Sequence, residues 1–194
     1  MVVMADERLR RMREVAGSVP DPELPAVSLA ELGVLRMLRE TSAGHIEVEL
    51  TPTYTGCPAL ASMAEDVERV LREHGAQHVT VRTVLTPPWS TDDITDEGRR
   101  KLAEFGIAPP RPGGGQHRTE PVVVALGATR GAPADGSDEH AAEGSQLAEA
   151  VDPIRCPRCG STATSLLSRF SSTACKALRR CDTCREPFDH FKEL

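Results

Sequence analysis

The chain has 194 residues, of which 39% are hydrophobic and 27% are charged, and its formal net charge is −6. This size fits one or two small domains, and no apolar stretch is long enough to span a membrane. With one Trp, one Tyr and four Phe in an acidic chain, there is little material for base stacking or phosphate contacts. Nucleic acid is therefore an unfavoured partner.

The N-terminal segment predicts an amphipathic helix over residues 4–16, because apolar residues recur at helical spacing and Gly17 and Pro20 follow them. The first twenty residues mix arginines with acidic residues and lack the continuous apolar segment of a secretory signal. We therefore expect a cytoplasmic protein. In that reducing compartment, its six cysteines are expected to be metal ligands or working thiols rather than disulfides.

The next segments predict an α+β domain over residues 1–110, with a small three-stranded sheet and helices. Pro22 and Pro25 are expected to hold Asp21 and Glu23 in a loop, because proline fixes its own dihedral and restricts the preceding residue. Alternating or continuous apolar residues predict the three strands at 34–38, 45–50 and 79–81. Helical periodicity predicts two further helices at 58–74 and 96–105.

A single cysteine, Cys57, lies between the second predicted strand and the helix that follows it. Proline is favoured at the first helical position, so Pro58 predicts that Cys57 is the N-cap. Unpaired amides and the helix dipole would then favour the thiolate, which is the species that attacks or binds metal. The alternative is that Cys57 fills a tight corner as a small buried hydrophobe.

Residues 111–153 are rich in glycine and alanine, acidic and free of aromatic residues. Such a segment cannot bury enough apolar surface to offset its ordering entropy. We predict a flexible linker here, followed by a small domain at residues 154–194.

Four cysteines of the tail form two C-x2-C knuckles, namely Cys156, Cys159, Cys181 and Cys184. Residues 160–180 separate the knuckles, a spacing just above the usual zinc-ribbon range of about 15 to 20 residues. The pattern favours Zn²⁺, although a rubredoxin-like iron site uses the same ligands. We expect a structural metal, because protein fills all four positions and the tail is too small to fold without it.

Two other tail residues are less constrained by the pattern. Cys175 is a possible extra thiol that could be a spare ligand, a redox-sensitive group or a buried side chain. His190 is expected at the surface.

The remaining aromatic and basic residues of the tail suggest packing and partner contacts. Phe170, Phe188 and Phe191 are expected to form the core of the tail. Arg179 and Arg180 suit an acidic partner protein better than nucleic acid, because the rest of the chain is acidic.

Several segments of both predicted domains together resemble the PaaD family, accessory subunits of the bacterial ring-1,2-phenylacetyl-CoA epoxidase system. They are DPELP with VSLAELGVLR, TPTYTGCPA, TPPWSTDDITDEGRRKLAEFGIAPP, CPRCGS, STACKALRRC and CREPFDHF. Residues 1–110 are also similar to SufT-like iron-sulfur assembly domains. In those domains the Asp-Pro-Glu loop and the cysteine after the Thr-Pro strand end are the marked features.

The resemblance implies a non-catalytic maturation role in phenylacetate catabolism. The partners would be the oxygenase and reductase subunits of this multicomponent monooxygenase system, whose iron or iron-sulfur centres the protein would help to assemble. Cys57 would be the transfer or docking thiol, with Asp21 and Glu23 in the neighbouring loop. One thiol cannot hold a 2Fe-2S cluster, so carrying a transient cluster would require a homodimer, Cys175 or ligands from a partner.

Three other classes compete with this interpretation. A cysteine enzyme would use Cys57 as nucleophile with His45, His74 or His78 as base. A rubredoxin-like electron carrier would hold iron in the tail. A zinc-ribbon adaptor would bind a protein or a nucleic acid without any cluster chemistry.

Overall fold

The first half of the chain is an α+β unit in the computed structural model, which describes residues 2–111, 113 and 153–193. Its helices and strands are, in chain order, α1 (Val2–Gly17), β1 (Leu35–Ser42), β2 (His45–Leu50), α2 (Leu60–Glu73), β3 (His78–Thr83) and α3 (Asp96–Glu104). The predicted fold class is confirmed, and every predicted helix and strand of this half is present. The predicted linker at 111–153 lies almost wholly outside the described residues.

The first sheet has the strand order β1-β2-β3. Strands β1 and β2 form an antiparallel hairpin whose turn contains Gly44 at a φ of 77°, a conformation that glycine adopts without steric cost. Strands β2 and β3 are parallel, so the chain must cross over between them, and α2 makes that crossover. Met63, Val67 and Leu71 are the buried face of α2.

The C-terminal strands are β5 (Thr164–Ser168), β6 (Lys176–Cys181) and β7 (Pro187–Phe191). They form a sheet in the order β4-β7-β6-β5, in which β4 is the two-residue strand Ile107–Ala108 from the first half. The described parts of the two halves thus belong to one compact unit. The division into separately folding domains at residues 110 and 153 stays a prediction.

The two halves also share a hydrophobic core. Phe191 of β7 is 0% exposed and its ring lies 5.8 Å from that of Trp89, and Cys175 belongs to the same cluster of buried side chains. Phe188 is buried, as expected, but Phe170 is 66% exposed. The expectation that Phe170 is a core residue is wrong; its ring instead lies 4.7 Å from the Lys192 ammonium.

Candidate functional site

The four knuckle cysteines converge on one point. The Sγ atoms of Cys156, Cys159, Cys181 and Cys184 all lie within 4.8 Å of one another, with 3.8 Å between Cys156 and Cys184 and 3.5 Å between Cys159 and Cys181. A tetrahedral zinc ion with Zn–S bonds of about 2.3 Å holds its sulfurs about 3.8 Å apart. The four thiols, named here the ribbon tetrad, therefore fit Zn²⁺ with little rearrangement.

Backbone amides in the second knuckle favour the thiolate form of its first cysteine. The N–H of Cys184 donates to Sγ of Cys181 at 3.4 Å. This amide and that of Thr183 lower the pKa of Cys181 to about 6, because hydrogen bonds to a charged group stabilise it. Arg185 closes the loop at a φ of 67° and donates its N–H to the Cys181 carbonyl at 2.9 Å. The loop thus presents a sulfur ready to bind metal.

Cys57 lies in the turn between β2 and α2, but it is not the helix N-cap. Helix α2 begins at Leu60 with Ala59 as its N-cap, so Pro58 belongs to a turn before the helix. Burial raises the pKa of the Cys57 thiol above its ordinary value of 9.0, although the backbone N–H of Ala59 acts in the opposite direction. The predicted bias toward thiolate is therefore wrong for the protein alone.

Asp21 organises a loop whose carboxyl groups act on Cys57. Its Oδ1 accepts hydrogen bonds from the backbone N–H groups of Glu23 at 2.7 Å and Leu24 at 2.8 Å, the local turn that aspartate favours before proline-rich loops. The residue is 5% exposed, and burial raises the pKa of its carboxyl despite the two amide donors. The loop therefore carries a fixed, buried carboxyl group.

The structure brings Cys175 to the same part of the molecule. Cys175 is 5% exposed and lies in the core cluster against which Cys57 packs. Beyond the effect of burial, the charges of Glu23, Asp21 and Cys175 each raise the pKa of Cys57. Burial also raises the pKa of Cys175, and the charges of Glu23 and Asp21 add to that effect. Four acidic groups from three separate segments therefore influence one another here.

The three candidate histidine bases lie at the opposite ends of the elements next to Cys57. His45 and His78 pair with each other at the first residues of β2 and β3, whereas Cys57 lies in the turn after the last residue of β2, Leu50. The length of β2 alone is roughly 17 Å at about 3.3 Å per residue. His74 caps the C-terminal end of α2, and Cys57 precedes its N-terminal end. The rings of His45 and His74 instead contact Thr80 Oγ1 at 2.9 Å and the Val70 carbonyl at 2.8 Å.

His190 was expected at the surface, and this expectation is wrong. It is 4% exposed, because β7 is an interior strand of its sheet and His190 pairs with Ala108 of β4. Burial lowers the pKa of His190 to about 4. Arg179, a candidate nucleic-acid contact, hydrogen-bonds Thr164 within the ribbon at 3.3 Å. The sequence carries no local signal for the burial of His190, because β4, the strand that covers it, is remote in the chain.

Comparison with known proteins agrees with both halves of the structure. Residues 11–83 match the family model described as "Iron-sulfur cluster assembly protein", and residues 140–192 match the "PaaD zinc beta ribbon domain". A protein of Escherichia coli (strain K12), named as one subunit of a "Putative 1,2-phenylacetyl-CoA epoxidase", is 34% identical over 192 residues, which are 99% of this chain and 97% of that protein. The chain belongs to the PaaD family. The resemblance found in the sequence motifs is confirmed.

Two further proteins are similar to part of this PaaD family member. The "Fe-S protein maturation auxiliary factor SufT" of Staphylococcus aureus (strain USA300) is 33% identical over 75 residues, 38% of this chain and 84% of that protein. A crystal structure of a DUF59 domain from Bacillus anthracis has a TM-score of 0.48 and 24% identity, covering 52% of this chain and 96% of that one.

Within the described ranges, no helix has the length and apolarity needed to cross a bilayer.

Proposed function

We propose that this protein is a non-catalytic accessory subunit of a phenylacetyl-CoA epoxidase system. It assists the assembly of iron or iron-sulfur centres in the oxygenase or reductase subunit, and it works in the cytoplasm, where its six free cysteines stay reduced. Two findings about relatives support this role. One relative is named as an epoxidase subunit and another as an Fe-S maturation factor.

The observation that carries the proposal is the grouping of Cys57 with the Asp21–Glu23 loop. Cys57 is half-buried, and two carboxyl groups act on its thiol. Because burial and these charges raise the pKa of the thiol, Cys57 should bind metal more weakly than an exposed cysteine until a cation or a client displaces the proton. A weak, displaceable site suits the transfer of a metal cargo rather than its storage.

In this proposal the ribbon tetrad holds a structural Zn²⁺. Cys156, Cys159, Cys181 and Cys184 would bind the ion, which supplies folding energy when present. A metal with four protein ligands has no position left for substrate or activated water. The ribbon then acts by holding β6 and β7 against the first half, next to the Cys57 turn.

A docking adaptor without cluster chemistry is the second candidate. The edge strand β5 and the turn after it expose Leu166, Leu167 and Phe170, and exposed apolar side chains grouped in this way are typical of protein-binding surfaces. A protein client is favoured over nucleic acid, because Arg179 is engaged within the ribbon.

The proposal is tested in cells that express the complete epoxidase system. We expect Cys57→Ser to leave the fold intact but to yield oxygenase or reductase subunits that contain less iron, measured by elemental analysis after purification. Thr55→Ser, an exposed change in the same turn, is the matched control and should leave metal content unchanged. Normal iron content with Cys57→Ser would exclude the transfer role and favour the adaptor.

A further inference from the structure

The ribbon displays three large apolar side chains at one edge of its sheet. Leu166 and Leu167 of β5 are 49% and 52% exposed, and Phe170, just after the strand, is 66% exposed. The Phe170 N–H donates to Ser168 Oγ at 3.1 Å, which holds this residue close to the end of β5. We name Leu166, Leu167 and Phe170 the β5 surface. Grouped exposed apolar side chains of this kind are typical of binding surfaces.

A β-bulge accounts for the exposure of two consecutive leucines. Leu166 pairs with Arg179 and Ser168 pairs with Leu178, so Leu167 is an extra residue in the edge strand. Successive side chains of a regular strand point to opposite faces, and a bulge re-aims one of them. The bulge also interrupts the row of backbone groups with which another strand could pair. Recognition at the β5 surface therefore depends on side chains rather than on the addition of a strand.

Basic groups lie beside these apolar side chains. The Lys192 Nζ is 4.7 Å from the centre of the Phe170 ring and 3.4 Å from the Arg169 carbonyl oxygen, and the Arg169 side chain is exposed. Asp189 and Glu193, the acidic residues on either side of Phe191, pair instead with Lys176 and Arg111. Neither of these two carboxylates neutralises the positive charge next to the β5 surface.

The charge of the ribbon determines which kind of partner fits this surface. Residues 154–194 contain eight basic and four acidic side chains. Two copies that met through their ribbons would bring two basic surfaces together, and the bulge hinders pairing of their edge strands. The acidic first half of another copy could meet the ribbon only head to tail, which does not by itself close into a dimer. An acidic partner of another kind is therefore favoured.

We propose that the β5 surface binds an acidic segment of a client protein. The apolar side chains of that segment contact the β5 surface, and its carboxylates lie beside Arg169 and Lys192. Apolar contacts of this kind stabilise a complex, whereas charges at the rim mainly increase the rate and selectivity of association. This inference rests on the proposed function, because the client is then the oxygenase or reductase subunit of the epoxidase system.

Binding of the zinc-loaded full-length protein to the purified oxygenase and reductase subunits, each added separately, tests the proposal. The Kd is measured by biolayer interferometry at low and at physiological salt. Leu167→Ala should weaken binding about fivefold or more at both salt concentrations, because it removes an apolar contact. Arg169→Glu should weaken binding about tenfold at low salt and less at physiological salt, because salt screens exposed charges.

Two matched controls separate the β5 surface from general effects. Leu85→Ala truncates a leucine of the first half that is 55% exposed. Arg158→Glu makes the same change in net charge at the first knuckle, which lies near the opposite end of β5, where Thr164 pairs with the ligand Cys181. Both controls should bind the client as the wild type does. Zinc content and the fluorescence of Trp89, the single tryptophan, show whether the ribbon of each variant is folded and docked.

Three results would overturn the proposal. The first is that Leu167→Ala and Arg169→Glu bind the client as the wild type does, or no more weakly than Arg158→Glu. The second is that the wild type binds neither subunit, with or without binding to a single-stranded DNA oligonucleotide. The third is a homo-oligomer of the wild type that Leu167→Ala dissociates, measured by light scattering, because a second copy would then cover the surface.

The iron content of the epoxidase in cells with Cys57→Ser separates this inference from the proposed function. If the β5 surface variants bind normally and Cys57→Ser lowers the iron content, the maturation role stands and docking at β5 is excluded. If the surface variants lose the client and Cys57→Ser leaves the iron content normal, the docking surface stands and the protein is an adaptor.

Discussion

Two groups of thiols in this protein differ in the surroundings that decide their ionisation. In the ribbon tetrad, four sulfurs lie within 4.8 Å of one another and backbone amides lower the pKa of Cys181. At the contact between the halves, burial and two carboxyl groups raise the pKa of Cys57 and of Cys175. The thiolate is thus favoured at Cys181 and disfavoured at Cys57 and Cys175. Neighbouring charges, burial and backbone amides therefore set the ionisation of each cysteine.

Removal of zinc should produce the largest loss of structure, because it takes away the ion that the ribbon tetrad would bind. A structural zinc contributes about 10 to 16 kcal/mol to folding, so a strong chelator should unfold the ribbon. Amide hydrogen exchange should then increase throughout β6, while β2 stays protected by its pairing with β1 and β3. Trp89 fluorescence should change as well, because Phe191 leaves its ring. Protection of β6 that persists without zinc would contradict this prediction.

Phe191→Ala should separate the two halves without touching a thiol. Phe191 is fully buried in the shared core, and truncation of a buried phenylalanine costs about 3 to 5 kcal/mol. The free energy of unfolding, measured with denaturant, should fall by that amount. Phe170→Ala is the matched control; its ring is exposed, so the loss should stay below about 1 kcal/mol. Equal losses in the two variants would mean that the shared core contributes little.

Asp21→Asn should change the free energy of unfolding least of the three, and it should raise that free energy rather than lower it. Asparagine keeps an oxygen that accepts from the Glu23 and Leu24 amides but removes the buried charge. Burial raises the pKa of Asp21 from 3.8, so ionisation of this carboxyl costs more in the folded protein than in the unfolded chain. The wild type therefore loses stability as the pH rises from about 3.8 through the higher folded-state pKa. At pH 7 the variant should be more stable by on the order of 1 kcal/mol.

The pH dependence provides the control for Asp21→Asn. The difference in unfolding free energy between variant and wild type should shrink toward zero as the pH falls to about 3.8. A variant that is less stable than the wild type at pH 7 would show that the ionised carboxylate is favourable in the fold.

Sequence patterns predicted the parts of this fold that depend on neighbouring residues. Alternation of apolar and polar residues indicated β2, helical spacing indicated α2, and the two C-x2-C knuckles indicated the tetrad. Each of these signals lies within one short segment of the sequence or in the spacing of the four cysteines along it. The start of α2 was misplaced by two residues, because Pro58 suits a turn before a helix as well as a first helical turn.

Contacts between remote segments could not be predicted in this way. Ile107–Ala108 is too short to show a strand period, yet it pairs with β7 and buries His190. The location of Cys175 depends on how the ribbon packs on the first half. The residues next to Cys175 in the sequence do not indicate that packing. For the same reason, the sequence did not indicate that Cys57 would be more protonated than a free thiol.

The chain leaves the first half and enters the ribbon at one place. Ala108 and Ile154 belong to a single cluster of buried side chains with Phe188, and Arg111 is fixed to Glu193 by an ion pair of 2.9 Å. Packing and this ion pair therefore hold the two anchor points together. A cut in the peptide chain between residues 111 and 154 should leave them in contact, because the pairing of β4 with β7 and the core around Phe191 join the two halves without that connection.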